Sequence, residues 1–330
     1  MIDFSNKKVL IIRFSSLGDI LLTSPIVRSL KKKFPSIDIR FLTKEQYLST
    51  VKFNPYINDI LLFNNSSKIS DFRKKIKSQK FDYIIDLHSS LRSFLISFAM
   101  GIKVFRIHKP RIKKALLVKF KYNLLKNYDL IPEMYCKSIP GFELDELGLD
   151  LFIDCKTNEK VKKEDNLIGI CPGAKHLTKS WGEHNYSELI KFLNKLNYKV
   201  ALFGGKSDKE LCERLSNAGS FVTNNCSDDD LITMGKEMLK CKLVLGNDSG
   251  LMHAASGLKL PIIVIFTSTV RQFGFEPYKA KSVIIENNEI ACRPCSHIGL
   301  DECPKKHFNC GNSISAADVF NKIKLMIKSI

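Results

Sequence analysis

The sequence predicts an α/β protein of two domains, each built on a parallel sheet that is covered by helices. Short apolar runs rich in β-branched residues alternate with stretches of helical spacing, which is typical of parallel strands joined by crossover helices. A polar stretch near residue 160 interrupts the alternation, which then restarts. The length of 330 residues also suits two domains of ordinary size.

The first half opens with the apolar run Val9–Arg13, which predicts a buried strand. Helical spacing follows at Pro25–Lys33, and the lysines at its end favour a helix C-terminus. The other strands predicted in this half are Ile37–Leu42, Ile60–Phe63, Tyr83–Leu87 and Lys103–Ile107.

The second half repeats the pattern of strands and helices. The predicted strands are Leu167–Cys171, Lys199–Phe203, Leu243–Gly246 and Ile262–Phe266. The predicted helices are Tyr186–Leu196, Asp208–Leu215, Leu251–Ser256 and Ala316–Ile330.

The pattern predicts a domain boundary where apolar residues nearly vanish. We assign an N-terminal domain to residues 1–155, a linker to 156–166 and a C-terminal domain to 167–314. The two domains are expected to face each other across a central cleft. The C-terminal helix, residues 315–330, is expected to pack back toward the N-terminal domain.

Charge is the unusual part of the composition. Apolar residues make up 44% of the chain and charged residues 26%, as in soluble globular proteins. The net charge of +18 predicts an anionic partner such as nucleic acid, a phosphorylated ligand or an acidic membrane surface. Neither a leader nor a spanning segment is evident, and ten cysteines in so long a chain do not predict a disulfide scaffold. We therefore expect a cytoplasmic protein that touches a membrane without crossing it.

Asp19 is the first candidate functional residue. It follows the turn Ser15–Gly18, at the carboxyl end of the first predicted strand. Ligands bind at that end of the strands in open α/β sheets. A carboxylate there either caps the next helix or acts in catalysis, and the residues alone leave both interpretations open.

Two strand-to-helix turns in the second half have the character of phosphate sites. One turn contains Gly173 and precedes Lys179, which either meets a phosphate as a point charge or is a solvated lysine. The other turn carries Asp248, Ser249 and Gly250 and opens a helix. A helix N-terminus suits an anion, although Asp248 or Ser249 could simply cap it.

A third turn carries Asp208, whose carboxylate could accept from a ribose hydroxyl or cap a helix. No glycine-rich dinucleotide motif follows the first strand, so the sequence does not support a dinucleotide-dependent oxidoreductase. A Walker A sequence is also absent.

Residues Leu87–Tyr128 contain no acid but ten lysines and arginines, interleaved with large apolar residues. This favours an anionic, amphiphilic partner at a membrane surface over a solvated basic face on a core helix. Nucleic acid is the competing partner, but no nucleic-acid motif accompanies the charge.

Four cysteines cluster near the C-terminus, at Cys292, Cys295, Cys303 and Cys310. Their spacing matches no zinc-finger pattern. A structural zinc site and a set of free or redox-active thiols both stay open, and no metal site is assigned.

Together these motifs resemble glycosyltransferase family 9, the ADP-heptose:lipopolysaccharide heptosyltransferases. The resemblance runs nearly from end to end, and SSLGD and DSGLMH are its most specific parts. The segments that carry it are RFSSLGDILLTSPIVRSLKKKFPSIDI, FNPYINDI, ICPGA, TKSW, FGGKSD, LGNDSGLMHAAS, LPIIVIFTST, CRPC, HFNC and ISAADVFNKI.

The resemblance implies the GT-B fold, in which two Rossmann-like domains take the acceptor and the nucleotide-sugar respectively. It implies an inverting, metal-independent enzyme that needs no cofactor and moves a heptose from ADP-L-glycero-D-manno-heptose to Kdo or heptose in the lipopolysaccharide inner core. Such an enzyme would work at the cytoplasmic surface of the inner membrane, without a nucleic-acid partner.

The resemblance also implies roles for individual residues. Asp19 would be the catalytic base, and Lys179 would contact the donor phosphate. The donor site would comprise Gly173, Lys179, Asp208, Asp248, Ser249, Gly250, Leu251 and His253. The acceptor would meet Ser15, Ser16, Gly18, Arg92, Arg106 and Arg111.

Two alternatives stay open at this point. Lys175 and His176 stand where family members often carry hydroxyl groups, so the donor could be another nucleotide-sugar. A non-catalytic binder of anionic lipid or nucleic acid would explain the charge, but it would not explain the placement of Asp19, Lys179 and Asp248 at turns.

Overall fold

The chain folds into two compact units, each built on one parallel sheet. The computed structural model describes residues 2–64, 68–154, 161–226 and 230–330. Unit 1 comprises residues 1–109 and 129–155, and unit 2 comprises residues 110–128 and 156–330. Among the described residues, none of the helices has the length and apolar character needed to cross a membrane.

The sheet of unit 1 has five strands in the order β3-β2-β1-β4-β5, and every neighbouring pair is parallel. The strands are β1 (Lys8–Ile12), β2 (Asp38–Lys44), β3 (Asp59–Phe63), β4 (Tyr83–Asp86) and β5 (Lys103–Arg106). The central strand β1 is buried over its four apolar residues, as expected for a parallel strand covered on both faces.

Helices follow the strands in the usual alternation. In chain order they are α1 (Leu17–Leu21), α2 (Ser24–Lys33), α3 (Ile69–Ser78), α4 (Leu91–Ser97), α5 (Arg111–Phe120) and α6 (Ile131–Cys136). Helix α5 belongs to unit 2 and the others belong to unit 1.

The sheet of unit 2 has six strands in the order β11-β10-β9-β6-β7-β8, again with parallel neighbours. The strands are β6 (Leu167–Cys171), β7 (Lys199–Leu202), β8 (Val222–Asn224), β9 (Leu243–Asn247), β10 (Ile262–Phe266) and β11 (Ser282–Glu286). The helices are α7 (Glu183–Lys195), α8 (Lys209–Ser216), α9 (Leu231–Lys240), α10 (Gly250–Gly257), α11 (Asn309–Asn312) and α12 (Ala316–Lys328).

The division of the chain differs from the predicted one at residues 110–128. These residues lie in unit 2, because Leu117, Leu125 and Phe273 form a common apolar cluster. The buried stripe of α12, which includes Val319 and Ile323, joins the core of unit 2. Residues 156–160 of the predicted linker lie outside the described residues.

Candidate active site

Asp19 lies in the first turn of α1, just beyond the end of β1. Its Oδ2 accepts hydrogen bonds from the backbone N of Ser16 at 3.1 Å and from the Ser16 hydroxyl at 2.7 Å. Asp19 therefore does cap α1, as one of the two interpretations predicts. Its other oxygen, Oδ1, lies 2.7 Å from Nη2 of Arg13, and the described contacts leave a lone pair on Oδ1 unused.

Arg13 holds the Asp19 carboxylate from the end of β1. It is 6% exposed. Its Nε donates to Ser15 O at 2.8 Å, its Nη1 donates to Leu87 O at 2.7 Å, and its guanidinium lies 5.8 Å from the centre of the Tyr135 ring. These contacts fix the guanidinium on several sides. The site predictions missed Arg13, although an arginine that ends a buried apolar run is itself a signal of a buried ion pair.

The electrostatic surroundings keep Asp19 ionised. Burial raises the pKa of its carboxyl group, but the Arg13 charge and the Ser16 hydrogen bonds together lower that pKa by more than burial raises it. The pKa of Asp19 therefore lies below its usual range. At neutral pH the group is therefore a carboxylate that can take a proton from a nearby hydroxyl.

A pocket of about 450 Å³ in unit 1 contains two of the predicted acceptor residues, Ser15 and Arg92. It also contains Lys44 and His88, which were not predicted as site residues. Its full lining is Phe14, Ser15, Lys44, Ile69, His88, Ser90, Leu91, Arg92 and Leu95. The positive charges of Lys44 and Arg92, beside the apolar side chains of the lining, suit an anionic ligand that also carries hydroxyl groups.

His88 brings a neutral imidazole to this pocket. Burial lowers its pKa to about 4, with further lowering by Arg13 and Lys109, so the ring is uncharged at neutral pH. Within the described residues, its Nδ1 is buried and has no hydrogen-bond partner. An unpaired buried nitrogen is costly, and a ligand hydroxyl would satisfy it.

Of the three predicted acceptor arginines, Arg92 and Arg106 lie in unit 1 and Arg111 lies in unit 2. Arg106 donates from Nε to the buried Asp86 and from Nη2 to Ser97 Oγ, both at 2.8 Å. Arg111 is exposed at the start of α5, in unit 2. Of the turn residues, Ser16 is exposed, while Gly18 is buried within α1.

In unit 2, the two predicted phosphate turns come together. Lys179 Nζ lies 2.7 Å from Oδ2 of Asp248, and the side chains of these residues are 18% and 7% exposed. The Thr269 hydroxyl donates to the same Oδ2 at 3.0 Å. Lys179 therefore forms a largely buried ion pair with Asp248 and is not a solvated side chain.

Asn247 joins the strand ends that carry this pair. Its Oδ1 accepts from Trp181 N at 3.0 Å and from Tyr186 Oη at 2.8 Å. Its Nδ2 donates to Pro172 O at 2.8 Å and to Gly173 O at 3.1 Å. All four partners are far from Asn247 along the chain, so this role could not be seen in the local sequence.

The start of α10 has the features of an anion site. Ser249 is the N-cap residue, but its side chain makes no capping hydrogen bond. Within the described part of the chain, its buried hydroxyl has no partner. Gly250 and Leu251 are partly exposed beside it, whereas His253 is buried and packs near Phe275. Simple capping therefore does not explain Ser249, while His253 is a packed helix residue.

Gly173 and Asp208 also lie against each other, at the ends of β6 and β7. A Cβ atom on Gly173 would come within 2.3 Å of the Asp208 carboxyl group, so a larger residue there would displace that carboxyl group. Asp208 Oδ2 accepts from Gly205 N at 3.0 Å. Two of the predicted donor residues are therefore neighbours.

The C-terminal cysteines do not form a metal centre among the described residues. No three or more His, Cys, Asp or Glu side chains in those parts of the chain are placed to hold an ion, and the four cysteines are free thiols. Cys292 Sγ lies 3.9 Å from His307 Nε2. Burial raises the pKa of Cys310 to about 11. The zinc and free-thiol interpretations of these cysteines therefore both stay predictions.

Comparisons with known proteins show similarity of the chain to glycosyltransferases. A model of glycosyltransferase family 9 (heptosyltransferase) matches residues 69–306. The chain is 25% identical over 327 residues to lipooligosaccharide heptosyltransferase 2 of Campylobacter jejuni, covering 95% of this chain and 96% of that protein.

Solved structures show the same fold. A family 9 glycosyltransferase of Veillonella parvula superposes with a TM-score of 0.77 at 19% identity, over 100% of this chain and 99% of the other. The ADP-heptose lipopolysaccharide heptosyltransferase II of E. coli gives a TM-score of 0.73 at 19% identity, over 98% and 99%. The predicted GT-B fold, with two Rossmann-like sheets, is thereby confirmed.

Proposed function

This chain belongs to glycosyltransferase family 9, and we propose that it transfers a heptose from ADP-L-glycero-D-manno-heptose to Kdo or heptose in the lipopolysaccharide inner core, with inversion. The observation that carries the proposal is the Asp19 carboxylate, which Arg13 and Ser16 hold ionised with a lone pair to spare. A single-displacement transfer needs one such base.

The donor is proposed to bind at the Lys179–Asp248 pair and the start of α10. A diphosphate leaving group needs positive charge where its own charge develops. Lys179 supplies a cation, the helix N-terminus supplies backbone N–H groups, and the unpaired Ser249 hydroxyl supplies a further donor. Asp208 is proposed to accept from the ribose. The E. coli enzyme of similar fold is described as acting with ADP-heptose, which supports this donor over other nucleotide-sugars.

The proposed reaction is one displacement. Asp19 accepts the proton of the acceptor hydroxyl, and that oxygen forms a bond to the anomeric carbon of the heptose. The bond from that carbon to the β-phosphate oxygen breaks, and ADP leaves with the electron pair. Attack opposite the leaving group inverts the anomeric configuration. No metal ion takes a role in this scheme, because Lys179 and α10 receive the developing charge.

The acceptor is proposed to bind in the unit 1 pocket beside Ser15. Arg92 and Lys44 would meet its acidic groups, and His88 would meet a sugar hydroxyl. Because this acceptor is a lipid of the inner membrane, the enzyme is proposed to work peripherally at the cytoplasmic face of that membrane. Its basic composition fits an anionic surface.

Product analysis tests the proposed function. The purified protein is incubated with two lipopolysaccharide cores, one that ends in Kdo and one that ends in a single heptose, and each core is offered ADP-heptose, UDP-glucose or UDP-N-acetylglucosamine in turn. We expect mass spectrometry to show one added heptose with the ADP-sugar only, and NMR to show an anomeric configuration opposite to that of the donor. Transfer from a UDP-sugar but not from ADP-heptose would contradict the donor, and retention would contradict the mechanism.

A further inference from the structure

Helix α4 presents an unusually apolar outer face. Its inward side chains Ser93, Ile96 and Ser97 are buried. Its outward face and the residue after it carry large apolar side chains that are between 38% and 75% exposed: Leu91, Phe94, Leu95 and Phe98. Scattered exposed apolar residues are ordinary, but several within two helical turns mark an interaction surface.

Helix α3 lies beside α4 and carries a row of cations. Its apolar side chains Phe72 and Ile76 are buried, and the Arg73 guanidinium donates to the backbone carbonyl of Leu95 on α4. A groove of about 450 Å³ lies between the two helices. It is lined by Ile69, Ser70, Arg73, Lys74, Lys77, Leu95, Ala99 and Met100.

The two packed helices thus carry cations on α3 and exposed aromatic rings on α4. Helix α3 has four basic residues and one acid, Asp71, which pairs with Lys74 at 4.0 Å. The rings of Phe94 and Phe98 contact each other, with centroids 5.3 Å apart. This is the composition of a surface that inserts apolar side chains at the headgroup level while lysines and arginines meet anionic headgroups.

From these observations we infer that the α3–α4 face, defined by Arg73, Lys74, Lys77, Phe94 and Phe98, docks on an anionic lipid bilayer. Charge complementarity selects this occupant. A second copy of the chain would bring cations against cations, and a purely electrostatic partner such as nucleic acid would leave the exposed phenylalanines without a role. The inference deepens the proposed function and rests on it, since it names the face that meets the membrane of the acceptor.

Vesicle flotation with the full-length protein tests the inference. The probes are phosphatidylcholine vesicles with and without about one quarter phosphatidylglycerol. We expect the wild-type protein to float with the anionic vesicles only, and less so at high salt. Phe94→Ser with Phe98→Ser, and separately Lys74→Glu with Lys77→Glu, are each expected to weaken the apparent vesicle affinity about tenfold or more.

Matched changes in unit 2 serve as controls. Leu196→Ser with Leu325→Ser replaces two side chains that are 54% and 61% exposed, and Lys191→Glu with Lys322→Glu reverses two exposed charges. Both controls are expected to float like the wild type. All variants alter exposed side chains, and a thermal melt checks that each is folded.

Three outcomes would overturn the inference: no flotation of the wild type, unchanged flotation of both α3–α4 variants, or an equal loss in the controls. Loss with the lysine pair but not with the phenylalanine pair would also overturn it, because it indicates an electrostatic partner such as nucleic acid. Flotation needs neither donor nor transfer. A protein that floats as expected but transfers no sugar would therefore contradict the proposed function alone.

Discussion

Among single residues, Arg13 has the largest effect on the proposed base. Its guanidinium lies 2.7 Å from Asp19 Oδ1, and Ser16, His88 and Tyr135 also lie near that carboxylate. Arg13 brings a full positive charge into contact with it. Arg13 is therefore a positioning residue that also keeps the base ionised.

Replacement of Arg13 by methionine is expected to raise the pKa of Asp19. Burial raises that pKa and the Arg13 charge lowers it, so without Arg13 the burial effect prevails. Asp19 cannot act as a base once it is protonated. As the pH is lowered, the variant should therefore lose activity at a higher pH than the wild type does. The pH dependence of kcat/KM measures this shift. Arg13→Lys keeps the positive charge and should show nearly the wild-type pH profile. If the acidic side of the kcat/KM profile does not shift in Arg13→Met, the role assigned to Arg13 is contradicted.

Lys179 is expected to act mainly on the leaving group. Lys179→Met removes the cation and leaves Asp248, which is 7% exposed, without its ion-pair partner at the proposed diphosphate site. The expected result is a fall in kcat of about 10²–10³ and weaker binding of ADP-heptose. Steady-state kinetics and calorimetry measure both. Lys175→Met, at an exposed position of the same turn, is the control, and equal losses in the two variants would argue against a specific role.

Single site residues were predictable where a turn at a strand end displayed them. Asp19, Lys179 and Asp248 follow strands whose apolar runs are plain in the sequence. Arg13 and Asn247 were missed as site residues because their partners are distant along the chain: Leu87 and Tyr135 for Arg13, and Trp181 and Pro172 for Asn247.

At the scale of elements, Arg28 joins α2 to the segment that follows α6. It is 2% exposed, its Nη2 lies 2.6 Å from Asp145 Oδ1 and donates to Gly148 O at 2.8 Å, and its Nη1 pairs with Asp150. Burial raises the pKa of Asp145, but the Arg28 hydrogen bonds outweigh burial and lower it to about 2. The ionised pair therefore stabilises unit 1 above the pKa of an unfolded aspartate, near 4, and this contribution is lost as the pH falls toward 2.

Arg28→Met is expected to lower the free energy of unfolding by about 3 kcal/mol at pH 7, because it leaves partly buried carboxylates unpaired. The difference from the wild type should shrink as the pH falls from about 4 to about 2. Urea unfolding followed by circular dichroism measures it. Arg214→Met, which breaks the exposed Arg214–Glu183 pair, should lower the free energy of unfolding far less, because water and salt screen that pair. A loss in Arg28→Met no larger than this would contradict the structural role of the pair.

Elements were predictable in proportion to their burial. The nine predicted strands all form, with ends within about two residues. The edge strands β8 and β11 were missed, since β8 has three residues that are partly or fully exposed and β11 is only partly buried. Helices α3 and α4 were not predicted. Basic residues fill the outer face of α3, and exposed apolar residues on α4 obscure its buried stripe.

For the whole molecule, the two-unit plan followed from the sequence, but the assignment of residues 110–128 to unit 2 did not. That assignment depends on side-chain contacts that join distant segments. Lys114 Nζ donates to Phe273 O at 3.1 Å, and Lys121 Nζ donates to Pro294 O at 2.6 Å. No local pattern in the sequence encodes such partners.

Removal of metal ions tests whether the protein itself neutralises the charge of the leaving diphosphate. Because Lys179 and the start of α10 are proposed to receive the developing charge, transfer should continue at near the wild-type rate after dialysis against EDTA. The rate of ADP release measures this, with and without added Mg²⁺. A loss of activity in EDTA that Mg²⁺ restores would contradict the proposed mechanism.

The central claim is that Asp19 is the base, and the steady-state rate of Asp19→Asn tests it most directly. The change keeps the shape of the side chain but removes its ability to accept a proton. We expect kcat for heptose transfer to fall by about 10²–10⁴, while the affinity for ADP-heptose stays close to that of the wild type. The melting temperature should fall, because the buried Arg13 loses its charged partner, but the protein should remain folded at the assay temperature. Transfer at near the wild-type rate by a folded Asp19→Asn protein would contradict the claim.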